Sequence, residues 1–175
     1  MKKAAIFPTL FLALFAILLS SLSVYGQEKV TTNDIRSDVN SIQNKANDAN
    51  VLAEKILNAT TIGEVNTSAK QILLILEDAK NIIKAEQTTL DAFSTPENKN
   101  KCGRYLNSIA SDIVDLQNRI EWATHEVNKI MKANEWDEIK HSATEVMTEI
   151  KKVNTIVAET TSSLALTDQE LSAKE

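Results

Sequence analysis

The sequence predicts an all-α protein: an up-down-up-down four-helix bundle of long, heptad-patterned helices, formed by a tandem duplicated αα-hairpin. Three observations carry that prediction. Between Ile62 and Phe93 the residues Ile62, Val65, Ala69, Ile72, Leu76, Ala79, Ile83, Glu86, Leu90 and Phe93 alternate three and four apart, which aligns them along one side of a helix. Three further stretches repeat this pattern. The second half of the chain also matches the first at an offset of 74 residues without a gap, with 15 identities over the 58 positions from Asn33 to Leu90.

The first 26 residues stand apart. Lys2 and Lys3 precede an apolar run that includes Phe11 to Leu19, and small and polar residues close the segment. This reads as a secretory signal peptide, with Val24 and Gly26 at positions −3 and −1 of a cut before Gln27; an uncleaved anchor is the alternative reading. The expected product is secreted and extracellular. It has 149 residues, enough for one domain with a substantial core. Two of the 19 basic residues and none of the 24 acidic ones lie in the signal, leaving 17 basic against 24 acidic, a net charge of −7. That balance disfavours nucleic acid as a partner and disfavours docking on anionic membranes through a basic face.

Taken in order, the bundle domain is expected at 27–166. Thr31, Thr32 or Asn33 can cap a first helix whose seam is Ile35, Val39, Ile42, Ala46, Ala49, Ala53 and Ile56. Thr61 and Glu64 form a T-x-x-E capping box that opens the second helix after a tight turn, closing hairpin one at 32–93. Residues 94–101, STPENKNK, contain no apolar side chain and read as a loop. Hairpin two, 102–164, follows with a third seam from Cys102 through Ile130 and a fourth from Trp136 through Leu164. Residues 167–175 read as a flexible C-terminal tail, with room for one capped turn from Thr167.

Matching heights across the two tight turns puts Ala49, Ala69, Ala123 and Ala143 in one layer. Such a layer reads either as close helix approach or as an apolar ligand pocket bordered by Trp136. A single large-to-alanine change can leave a cavity of about 150 Å³ and small-ligand pockets begin near about 300 Å³, so a layer of four is of the right size. Glu86 is the one charged residue on the second seam and needs a partner; Arg36, Arg104 or Asn107 are expected at its height, in a role that sets register.

Cys102 is the only cysteine, which leaves an intermolecular disulfide, and hence a homodimer, or a buried thiol. Asn58 and Asn66 head N-glycosylation sequons, with Asn58, at a turn, the better acceptor. Catalytic chemistry is not evident. Glu138 and His141 match E-x-x-H but lie off the seam, so no metal site is expected. His125 also points outward, no third histidine exists, and three glycines do not make a phosphate-cradling loop. No cofactor is expected and an enzyme is not. Two readings of function follow: a secreted non-catalytic bundle that binds an apolar ligand, a lipid or a hydrophobic surface, or an extracellular protein-protein interaction protein (an effector, adhesin or structural component) that uses the bundle as a rigid scaffold.

Overall fold

The computed structural model describes residues 30–173. The signal segment, 1–26, lies outside the described residues. Four helices account for the fold: α1 over Thr32–Leu57, α2 over Ile62–Phe93, α3 over Pro96–Ile130 and α4 over Trp136–Ser172. Each packs on its neighbours in the order α1, α2, α3, α4 and back to α1, with no comparable contact across either diagonal. This is a four-helix bundle with all connections short. At 1.5 Å per residue, the 32 residues of α2 run for about 48 Å.

The seams account for the core. All seven expected residues of α1 are buried, as are those of α2 other than Ile62 and those of α4 other than Trp136. Ile62 and Trp136 are the first residues of their helices and 74 positions apart; they are 44% and 36% exposed, because a seam extended to the first turn runs past the end of the helices that would cover it. Burying each isoleucine of the interior contributes about 1.5–3 kcal/mol, and Ile35, Ile42, Ile56, Ile72, Ile83, Ile109, Ile113, Ile120, Ile130 and Ile139 are all fully buried.

The turn between α1 and α2 forms as its sequence requires. The amide of Glu64 donates to Thr61 Oγ1 at 3.2 Å, and Glu64 Oε2 accepts from the amides of Thr60 and Thr61 at 2.9 and 3.1 Å. These backbone donors hold the Glu64 carboxyl below the usual carboxylate range.

The segment expected to be a loop, 94–101, is largely helical. Ser94 and Thr95 alone separate α2 from α3. Thr95 Oγ1 accepts from the Asn98 amide at 3.2 Å, and Pro96 takes the first helical position, where its missing N–H costs nothing. The absence of apolar residues there reflects an exposed turn of helix. Its junction with the main part of α3 is a kink at Cys102, with φ −135° and ψ 23°.

The C-terminal segment also departs from expectation. Helix α4 continues to Ser172, and Thr167 is fully buried. Two helices hold its last turns. Asp168 accepts from Thr32 Oγ1 at 2.5 Å and from Arg36 at 2.8 Å, both on α1, while Arg104 on α3 donates to Glu170 at 3.1 Å.

Candidate functional site

With every connection short and neighbouring helices antiparallel, the α1–α2 and α3–α4 turns lie at one end of the bundle, and the α2–α3 connection lies at the other with the start of α1 and the end of α4. At the turn end the duplication extends to the surface. One groove is lined by Lys129, Lys132, Ala133, Glu138, His141 and Ser142. The residues 74 positions earlier, Lys55, Asn58, Ala59, Glu64, Thr67 and Ser68, all line a groove at the other turn. Four of the six pairs are identical, so each hairpin carries the same surface feature. Asn58 is exposed there as the C-cap of α1 and donates to the Glu54 carbonyl at 2.9 Å. Asn66, by contrast, is half-buried within the second turn of α2.

Ala49, Ala69, Ala123 and Ala143 are each fully buried. The grooves described here lie on the surface, and none is lined by one of these alanines. Trp136, more than a third exposed at the start of α4, does not close off an interior space. Each of the four alanines is thus closed to solvent.

The polar interior is concentrated elsewhere. Glu86 is fully buried and neither of its carboxyl oxygens has a hydrogen-bond donor. The partners expected for it are placed differently: Arg36 pairs with Asp168, Arg104 with Tyr105 and Glu170, and Asn107 is exposed. Its neighbour is another acid, Asp38 on α1. Burial first, and then the hydrogen bond and charge of Asp38, push the Glu86 carboxyl up to about 9.

The equivalent pair in hairpin two is Asp112 and Thr160. Thr160 is fully buried and its hydroxyl donates to Asp112 Oδ2 at 3.0 Å, with Ile156 O at 2.9 Å. Burial raises the Asp112 carboxyl, opposed by the Thr160 hydrogen bond and assisted by Glu159 and Asp115.

Two buried acids went unread in the sequence. Glu126 and Glu149 lie just off the seams and are 6% and 8% exposed. Glu149 is covered by Arg119 of α3 at 3.2 Å and by Lys152 at 2.6 Å, and Glu126 by Lys129 at 2.7 Å. The basic residues three positions after each carboxylate were the available signal, since their aliphatic stems shield the pair.

Cys102 is 1% exposed and its thiol donates to the Asn98 carbonyl at 3.0 Å. Burial pushes that thiol up, with Glu170 adding to the shift and Lys101 opposing it. Of the two sequence readings, this arrangement corresponds to the buried thiol; an intermolecular disulfide would require the first turns of α3 to undock. Glu138 and His141 both face solvent, as their off-seam positions require.

Where the hairpins meet, packing is uneven. The α2–α3 contact is the sparsest of the four, and a groove of about 350 Å³ runs beside it, lined by polar residues that include Lys80, Lys84, Gln87, Gln117 and Glu121. On the outer face of α3, Val114 and Trp122 are 52% and 57% exposed, and the Trp122 ring meets His125 edge-on with centroids 6.1 Å apart. Among the described residues no helix is long and apolar enough to cross a membrane. Comparison with protein-family models, with curated proteins and with solved structures finds no match to this chain.

Proposed function

We propose that this chain is a secreted, non-catalytic binding protein whose two hairpins part along the α2–α3 contact and lay their apolar seams on a lipid or other hydrophobic surface. The observation that carries this reading is that, of the two contacts joining the internally well-packed hairpins, α2–α3 is sparser than α1–α4. Parting there leaves each hairpin with its tight turn and its own seam intact. Each exposed seam is a long apolar stripe of the kind that marks an interaction surface. The alanine layer, closed to solvent, favours such a surface mode over a small ligand held in the interior. The net negative charge favours an uncharged surface over an anionic one.

A direct test uses phosphatidylcholine vesicles and fluorophores at Leu74→Cys on α2 and Val114→Cys on α3, both exposed positions, in a Cys102→Ser background. Co-sedimentation with the vesicles, accompanied by a fall in energy transfer between the labels, is the expected result. Failure to sediment, or sedimentation with unchanged transfer, removes the reading.

The exposed Trp122 and its contact with His125 favour a second reading, a rigid scaffold for an extracellular protein partner. In that case the bundle stays closed throughout, and Trp122→Ala abolishes partner binding without altering the core.

A further inference from the structure

Asp38 and Glu86 occupy in hairpin one the places that Asp112 and Thr160 occupy in hairpin two, where a hydroxyl donates to a carboxylate across 3.0 Å. In hairpin one both side chains are carboxyls, and Glu86 is fully enclosed with no donor for either oxygen. The one proton that can join two facing carboxyls is a proton carried by one of them. It belongs on the more deeply buried group, because enclosure penalises the charged form most there. Asp38 is half-buried and Glu86 fully so. We propose that neutral Glu86, donating to Asp38, is a proton-dependent latch between α1 and α2, and that loss of this proton loosens the bundle at the end carrying the α2–α3 connection.

Among the described residues, the charged groups near this end are engaged with other partners. From α1 the facing acid is Asp38, and Arg36, two residues before it, is committed to Asp168 at 2.8 Å. From α3, counting back from the Ser94–Thr95 connection, the buried residues opposite are Cys102 and Leu106; Lys101 is bonded to Glu97 at 2.9 Å and Arg104 to Glu170. Diagonally across, α4 contributes Thr160, whose hydroxyl is used by Asp112 and by its own helix. Deprotonation therefore leaves a negative charge on a fully buried side chain beside a second acid. Repulsion and desolvation then act against the α1–α2 contact that Glu86 helps to form.

The sign of the pH dependence follows from linkage. The folded-state value for Glu86, about 9, lies above the ordinary 4.5, so the folded chain holds a proton that the unfolded chain releases. Stability from this group is fully present below the ordinary value and is lost as pH rises through the window up to about 9. As a regulator of surface binding, the latch rests on the reading proposed above; as a determinant of stability it does not.

The test compares the protein with Glu86→Gln, which keeps a donor for Asp38 without a titrating proton, and with Glu86→Thr, which places at 86 the side chain found at 160. Denaturant unfolding of the original protein is expected to become easier with rising pH, the unfolding constant growing by up to about tenfold per pH unit. Both variants are expected to lack this component, while the contribution of Asp112 is common to all three. Parallel pH profiles would overturn the latch. Phosphatidylcholine vesicles, whose charge is constant over this range, are then added at about pH 6 and about pH 9. Binding that increases with pH in the original protein and not in the variants supports regulation. A Glu86-dependent stability profile without vesicle binding at either pH keeps the latch and removes the surface reading; equal binding by all three proteins at both values overturns the latch as a regulator.

Discussion

Thr160 on α4 donates a hydrogen bond of 3.0 Å to Asp112 on α3, and the residues 74 positions earlier, Glu86 and Asp38, face one another in the first hairpin. One inherited position thus carries two solutions to the same problem, a polar group inside the bundle near the end that bears the α2–α3 connection. The hydroxyl keeps its donor proton at every ordinary pH. The carboxyl solution is satisfied only while a proton remains.

Thr160→Val keeps the shape of the side chain and removes the donor to Asp112. The expected cost is about 1–2 kcal/mol at neutral pH, the lower part of the range for a charged acceptor because Asp112 is only half-buried. Burial already raises Asp112, and the Thr160 bond opposes that rise, so the variant raises it further. A carboxyl raised on folding loses stability as pH climbs above its ordinary 3.8, and the penalty of the variant should therefore shrink as pH falls toward that value. Urea titrations at neutral and acid pH check this, and an equal penalty at both would disprove the assignment.

Ala69→Leu and Ala143→Leu each add three heavy atoms to a layer whose four alanines are fully buried. Overpacking of this kind costs about 1–3 kcal/mol. A neutral or stabilising effect on thermal unfolding would instead reveal a void large enough for the added side chain, and with it a site for an apolar ligand.

The Cys102 thiol, 1% exposed and hydrogen-bonded to Asn98 O, should react with a disulfide reagent only when the first turns of α3 open. Labelling is expected to be far slower in the native protein than in denaturant, and the native mass in solution should be the same with and without reductant. Rapid native labelling, or a dimer lost on reduction, would show that the kink at Cys102 is open in solution.

Much of this architecture was legible in the chain itself. Alternation of three and four places Ile35 through Ile56, or Leu106 through Ile130, on one stripe, and burial of a stripe that long requires other helices whatever their arrangement. The capping box of Thr61 and Glu64 and the 74-residue repeat are likewise properties of residue order. What was less legible concerns helix ends and polar partners. Pro96 to Lys101 lack apolar residues yet form helix, because Thr95 caps the turn and Pro96 suits its first position. Ile62 and Trp136 continue their seams on paper but emerge from the bundle at its end.

The seams, the number of helices, their pairing into hairpins and the duplication were determined by sequence alone, because local periodicity dictates which face of a helix must leave water. Tertiary structure alone decided that Glu86 meets Asp38 rather than a basic side chain, that α4 runs on to Ser172 against Thr32, Arg36 and Arg104, and that Ala49, Ala69, Ala123 and Ala143 are each closed to solvent. The physical reason is the same in each case. A seam specifies that a residue points inward, whereas the group it meets depends on the rotation and relative height of a different helix, which many distant contacts set together.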